Sequence, residues 1–410
     1  MIELADIPAQ TRERIEQIGA ADLVLAIPRA ASAQDVEGIV ADTREALTKL
    51  YSLAQTLVIH SGEPMETAPG AVRTVALPML SHADIGADPL KSIDDAYQAV
   101  FAVAKNLRAR AVVVLVSDVE SITPQWIYAL ARPVLELDFD LVTPGYAHAP
   151  MEGLLNSGII APLTRALYGR RIRHPLGPDC GFSGRLIERL LDGPNPRTHP
   201  RSIASLAVDA ICDGFEICEA NVGARHYPPP DWSNQSSVLA RILGPVFLET
   251  EFHAAQWQRV RGSQPVPVFG EAGSSRAQTE PIDVRRMIDS FALGYRNLEE
   301  IWSVILPPGT LLELSKLAKG SRELFHMPDR TWARILYDFA LGHRLRLINP
   351  DHLIRAMTPL YLAWVASFAL DTAAADAAMA ARRLEDLALA FEAAKPYLVS
   401  RWRWPDRFNP

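Results

Sequence analysis

The run Ala111-Val-Val-Val-Leu-Val116 constrains this chain more than any other stretch. It is continuous, β-branched and aliphatic, and too short for a core helix. Such a run reads as a strand buried on both faces, the centre of a parallel sheet. It stops at Ser117-Asp118-Val119-Glu120, so two carboxylates sit where the chain leaves the sheet. Pro124 and Trp126 follow, and Ile127-Tyr-Ala-Leu-Ala131 continues as a helix with proline in its first turn. Ligands of open α/β sheets bind beyond the carboxyl ends of the strands. An acidic pair there either holds a divalent cation through hard oxygens or simply complements a helix N-terminus, which favours negative charge.

Strand and helix patterns alternate around this run. Asp22-Leu-Val-Leu-Ala-Ile-Pro28 is expected as the first buried strand, and Ser32 as the N-cap of a helix through Val36, Ile39, Val40, Ala46 and Leu47. Gln55–His60, Val72–Leu77, Phe139–Pro144 and Phe215–Glu219 are further strands, with helices near 9–19, over Asp94–Leu107, from Met151 to Gly169 and over Ser202–Asp213. This order predicts an α/β, doubly wound sheet with right-handed crossovers. Neither GxGxxG nor GxxxxGK[ST] is present; Pro28-Arg-Ala-Ala-Ser-Ala33 follows the first strand instead. The loop Arg170–Gly184 combines cations, Asp179 and the glycines Gly177 and Gly181 with Ser183, a composition that suits close approach of a polar ligand as well as a solvated surface. His226 also falls just past a strand end, as a ligand or as an ordinary structural histidine.

Pro228-Pro-Pro-Asp-Trp-Ser marks a break, and the 410 residues divide there into domains 1–230 and 231–410. Beyond it the periodicity is helical, strongest over Val284–Ile305, Asp329–Gly342, Pro350–Phe368 and Ala373–Ala394. Met357, Leu360, Tyr361, Trp364, Val365 and Phe368 form a bundle-core stripe, and Pro359 is expected to kink or split its helix. The basic, aromatic tail from Arg401 is expected to pack on the catalytic domain or on another subunit. The net charge of −7 argues against general nucleic-acid binding. Three cysteines, Cys180, Cys212 and Cys218, without a CxxC pair point to a reducing compartment and away from cysteine-held zinc. With no signal-peptide pattern and no uncharged apolar stretch of about 18 residues, the expectation is a soluble cytoplasmic protein without a transmembrane segment.

The order of these motifs resembles GT-A glycosyltransferases, and within them the retaining mannosylglycerate and glucosyl-3-phosphoglycerate synthases. The first strand ends in Pro28, and Lys91 precedes a helix. Ser117-Asp118 follows the buried strand, His174-Pro-Leu-Gly177 comes next, and Gly223-Ala-Arg-His226 follows the last strand. The resemblance covers about residues 20–230. It implies a GT-A (Rossmann-like, mixed and mostly parallel) catalytic domain, here followed by an all-α C-terminal domain. By the same resemblance Asp118 is the last acid of an Asp-X-Asp motif whose first is replaced by Val116. Asp118 and His226 would hold Mg²⁺ or Mn²⁺; Lys91 would lie on the donor diphosphate, Pro28 and Ser61 on the nucleoside, and Ser117 would also contact the donor. His174, Leu176 and Gly177 would line the sugar and acceptor site. Ala31 or Ser32 stands where these enzymes carry a first-strand Glu. Leu154, with Asn156 nearby, stands where the phosphoglycerate enzymes carry an acceptor-binding Arg, which points to glycerate or another unphosphorylated acceptor.

The implied activity is metal-dependent, retaining transfer of a hexose from a UDP- or GDP-hexose to a small hydroxy acid such as D-glycerate, the chemistry of compatible-solute synthesis. Two other readings compete. An inverting transferase with a polysaccharide or lipid-linked acceptor needs a base, for which Asp179 is the candidate. A non-catalytic nucleotide-sugar-binding scaffold needs none. The helical region serves as a dimerisation arm or a lid, and a homodimer is expected.

Overall fold

A computed structural model describes residues 7–30, 32–50, 55–64, 72–77, 89–192, 202–225, 232, 234–273 and 282–405; side chains are described from 94 onward in the segment that opens at 89. The chain falls into two compact units. The first takes the described residues of 1–148, 174–226 and 266–276, and the second those of 149–173, 227–265 and 277–410. A single cut at 230 therefore misplaces 149–173, which join the helical unit, and 266–276, which join the sheet.

The first unit has the expected α/β class. After α1 (Ala9–Ile18) come β1 (Leu23–Ile27), α2 (Ala33–Thr48), β2 (Thr56–His60), β3 (Val72–Ala76), α3 (Pro89–Asn106), β4 (Ala111–Val114), α4 (Pro124–Leu137) and β5 (Leu141–Ala147). Its sheet order is β3-β2-β1-β4-β7-β5-β8-β10, where β7 is Cys180–Ser183, β8 is Ile217–Ala224 and β10 is Val268–Phe269. All its pairings are parallel except those of β7 with β4 and β5. β4 is buried at every position, as its composition demands. Ser32 caps α2 as expected, in a full capping box: its hydroxyl accepts from the Asp35 amide and the Asp35 carboxylate accepts from its own.

In the second unit, α5 (Ala161–Tyr168) is followed by β6 (Arg170–Arg171). The chain returns to the sheet with β7 (Cys180–Ser183), α6 (Gly184–Asp192), α7 (Leu206–Cys212) and β8 (Ile217–Ala224). β7 lies inside the stretch expected as a loop. Gly181 and Gly184 account for its place between two strands, because a Cβ at either would overlap a backbone carbonyl, of Leu130 and of Ala109. α8 (Gln235–Phe252), α9 (Ala254–Trp257) and β9 (Gln264–Pro265) belong to the helical unit, whereas β10 (Val268–Phe269) pairs with β8. Two-residue strands such as these carry no periodicity to read.

The remaining helices are α10 (Val284–Ile305), α11 (Pro308–Lys319), α12 (Asp329–Leu345), α13 (Pro350–Ala356), α14 (Thr358–Thr372) and α15 (Ala377–Arg403). The apolar stripe is core: Trp332 stacks on Trp364, and Trp364 on Phe368. Pro359 does split its helix, since α13 ends at Ala356 and α14 opens with that proline in its first turn. Pro350–Thr372 is long and apolar enough to cross a membrane by length and composition, but 72% of its most apolar window is buried inside the structure. Arg401–Arg403, the start of the basic, aromatic tail, form the end of α15. Trp402 is buried there against Trp257, 5.2 Å between rings, under the guanidinium of Arg344. Within the described residues, Trp402 thus packs inside the helical unit.

Candidate functional site

Strand order locates the crevice of the first unit. The chain runs outward from β1 to β2 and β3, then returns to place β4 on the other side of β1. β1 and β4 therefore flank the topological switch point, beyond whose carboxyl ends ligands of open α/β sheets bind. Two charged side chains meet there. Arg29, just past β1, donates from Nη1 to the Asp118 carboxylate, just past β4, and both side chains are 37% exposed. An ion pair this exposed contributes only ~0–1 kcal/mol to stability, so it is free to exchange partners.

Both members are held from below. Pro28 is buried, and the Ala30 carbonyl accepts from the Ser61 amide at 3.2 Å and from its hydroxyl at 3.3 Å. Pro28 and Ser61, both expected on the donor, thus lie in two neighbouring loops, past β1 and past β2, braced against each other. Across the crevice, Asp179 fixes the turn that presents Asp118. One carboxylate oxygen of Asp179 accepts from the amides of Val116 and Ser117, at 2.7 and 2.9 Å. The other accepts from the Ser117 hydroxyl and from Tyr146. Four donors fill the acceptor capacity of a carboxylate, and Asp179 is fully buried. It is a positioning residue, without the exposed lone pair a general base needs. Ser117 faces inward to Asp179.

The His174–Gly177 loop lies beside this lock. His174 is buried, with Nε2 3.1 Å from Nε2 of His148 and its ring edge-on to Tyr146 at 5.1 Å. The Arg225 guanidinium covers the same tyrosine, 5.2 Å from its centroid. Leu176 is half-buried. Gly177 packs so closely on Pro144 that a Cβ would stand 2.5 Å from the ring. Burial pushes the Cys180 thiol far up, then Asp179 adds to it, so this cysteine stays a neutral donor to the Gly177 carbonyl. His60, which closes β2, is fully buried, and among the described residues its ring nitrogens have no hydrogen-bond partner. Burial lowers its pKa and keeps it neutral.

Of the expected site residues, Pro28, Ser61, Ser117, Asp118, Asp179, His174, Leu176 and Gly177 all lie in the first unit. Asn156 opens a π-helical turn of the second. His226 and the side chain of Lys91 lie outside the described residues. Sequence reasoning missed Arg29, Tyr146 and His148. Position alone could have found Arg29, the first residue past the proline that ends β1.

No protein-family model matches the chain, and no curated protein matches it. Among solved structures it is similar to a glucosyl-3-phosphoglycerate synthase from Mycobacterium tuberculosis, determined with Mn²⁺, uridine diphosphate and phosphoglyceric acid. That match has 17% identity and a TM-score of 0.38, and covers 61% of this chain and 83% of that one. A mannosyl-3-phosphoglycerate synthase from Rubrobacter xylanophilus matches at 14% identity and a TM-score of 0.38, over 63% of this chain and 82% of that one. Of the two kinds of synthase that the sequence resembles, the glucosyl-3-phosphoglycerate kind is thus among these solved structures, and the mannosyl enzyme found is a 3-phosphoglycerate synthase.

Proposed function

We propose that the chain is a glycosyltransferase that moves a hexose from a nucleoside-diphosphate sugar to a small hydroxy acid of the D-glycerate type. The observation that carries this reading is the Arg29–Asp118 pair at the β1/β4 switch point, braced by Ser61 on one side and by Asp179 on the other. A cation and a carboxylate fixed at the mouth of such a crevice suit a diphosphate and its counter-ion. By the sequence resemblance, Asp118 and His226, from two separate motifs, would hold a divalent cation. That cation would neutralise charge building on the leaving diphosphate. Asp118 supplies the hard oxygen such an ion takes.

In the retaining course, the bond from the anomeric carbon to the diphosphate breaks as the acceptor hydroxyl bonds to the same face. The acceptor's proton passes to the departing phosphate oxygen, so no side-chain base is required. Ser117, through Asp179, keeps the Asp118 turn rigid while the diphosphate charge grows. The saturated, buried Asp179 disfavours the inverting reading, which depends on it as base.

Donor turnover tests the reading. Purified protein is mixed with a panel of UDP- and GDP-hexoses, Mn²⁺ or Mg²⁺, and D-glycerate or 3-phosphoglycerate, and nucleoside diphosphate release is followed. Release with D-glycerate that disappears in Asp118→Ala supports it. No release with either acid, together with metal-linked donor binding, would move the acceptor elsewhere. No donor binding under any condition would leave neither enzyme reading standing.

A further inference from the structure

Val116 gives the crevice an unusual charge balance. Where a second acid would make the pair of carboxylates that draws a divalent ion, this chain has an apolar residue whose amide is already taken by Asp179. Asp118, the acid that remains of the Asp-X-Asp motif, carries a guanidinium. Within this pair the two charges cancel, and a bare Mn²⁺ ion approaching Asp118 meets the repulsion of the guanidinium that already occupies its Oδ1. A diphosphate changes that balance. Guanidinium binds phosphate oxygens through a planar two-pronged contact that a carboxylate of fixed position matches no better. The loop bearing Arg29 is pinned at Ala30, whose amide donates to the Ile27 carbonyl and whose carbonyl accepts from Ser61, so a change of partner needs only the side chain to turn.

We propose that Arg29 is a diphosphate ligand that exchanges with a divalent cation on Asp118. In the free protein it occupies Asp118. When a nucleoside diphosphate arrives, the guanidinium turns to the phosphate oxygens and the carboxylate is released to the metal. Nucleotide and metal therefore favour each other's binding, and by reciprocity the coupling is the same read from either side. This inference rests on the nucleotide-sugar reading of the site.

The test uses the full-length protein, UDP and GDP as probes, and two readouts that need no turnover. Calorimetry measures nucleotide binding in EDTA, and the electron paramagnetic resonance signal of free Mn²⁺ measures metal binding without nucleotide. In Arg29→Gln, nucleotide binding in EDTA should weaken roughly tenfold, the scale of one charge-assisted two-pronged contact. Mn²⁺ alone should bind about threefold or more tighter, because its competitor is gone. Arg29→Lys, which keeps the charge but not the fork, should fall between. Circular dichroism confirms that the variants are folded. Wild type that binds nucleotide with Mn²⁺, while Arg29→Gln matches it in both readouts, would overturn the exchange and leave the glycosyltransferase reading intact. Failure of wild type to bind either nucleotide, with or without Mn²⁺, would overturn both.

Discussion

Asp179 accepts from two amides, one hydroxyl and one phenol, and three of those four bonds hold Val116 and Ser117 in place. Asp179→Asn turns one acceptor oxygen into a donor facing existing donors. The variant should lose about 3 kcal/mol of stability, since buried donors left without acceptors cost ~1–3 kcal/mol each. Urea denaturation measures this. Nucleotide binding should weaken alongside, because the Asp118 turn loses its brace; binding unchanged in a folded Asp179→Asn would show the brace to be irrelevant to the site. A milder variant, Tyr146→Phe, removes one donor and leaves the two backbone bonds, so its loss should be the smaller. The composition of the 170–184 loop marks Asp179 as a candidate site acid. Its actual work was not legible there, because its partners lie 33 to 63 positions away in the chain. The same holds for Arg29, whose meaning depends on a carboxylate 89 positions on.

At the level of elements, continuous burial and helical periodicity were readable. β4 and α10 lie where their patterns put them, and Ser32 and Pro359 act as their side-chain chemistry dictates. What stayed hidden was pairing without pattern: β7 enters the sheet antiparallel through glycines, and β10 is two residues long. Ser32→Ala, which removes one half of the α2 capping box, should cost about 1 kcal/mol in urea denaturation. α12 carries a pH-dependent contribution. His343 is buried in it beside Phe247, with Arg346 Nη1 3.2 Å from its Nδ1. Burial, and next the Arg346 charge, hold its pKa down to about 4, against an ordinary 6.5. Between these values the unfolded chain binds a proton that the folded imidazole refuses. The stability this group contributes is complete above the unfolded value and is lost as pH falls through the folded one. Denaturation compared at pH 7 and pH 4.5 should show wild type losing on the order of 2 kcal/mol from this group. His343→Leu should lose less over the same interval, and an unchanged difference between the two pH values would rule out His343 as its source.

At the scale of the whole chain, the helical unit is not a contiguous domain, and this leads to a prediction about dissection. Periodicity reads 151–169 as a helix, but periodicity does not say which core a helix joins. In the folded chain α5 packs on α15, and the buried Arg165 pairs with Glu385 at 2.7 Å and Glu392 at 3.2 Å. Lys395 donates to the Leu167 carbonyl at 3.1 Å and to that of Val260 at 3.0 Å. Trp332 donates to the Gly158 carbonyl at 3.0 Å, and a Cβ at Gly158 would overlap the Trp364 ring. A fragment 231–410 lacks every one of the partners contributed by 149–173. Glu392 loses its guanidinium, Lys395 loses one of its two acceptors, and the stacked Trp332 and Trp364 are laid open along one side. The lost hydrogen bonds, at ~0.5–1.5 kcal/mol each, and the uncovered apolar faces of the tryptophans together remove a large part of the ~5–15 kcal/mol that holds a domain together. The fragment should keep helical far-ultraviolet circular dichroism, lose the near-ultraviolet signal of its tryptophans and melt without a cooperative transition. Fusing 149–173 ahead of 231–410 through a flexible linker should restore both the signal and the transition. A fragment 231–410 that melts cooperatively by itself would show that the boundary drawn from composition is also the physical one, and that α5 is an accessory to the helical core.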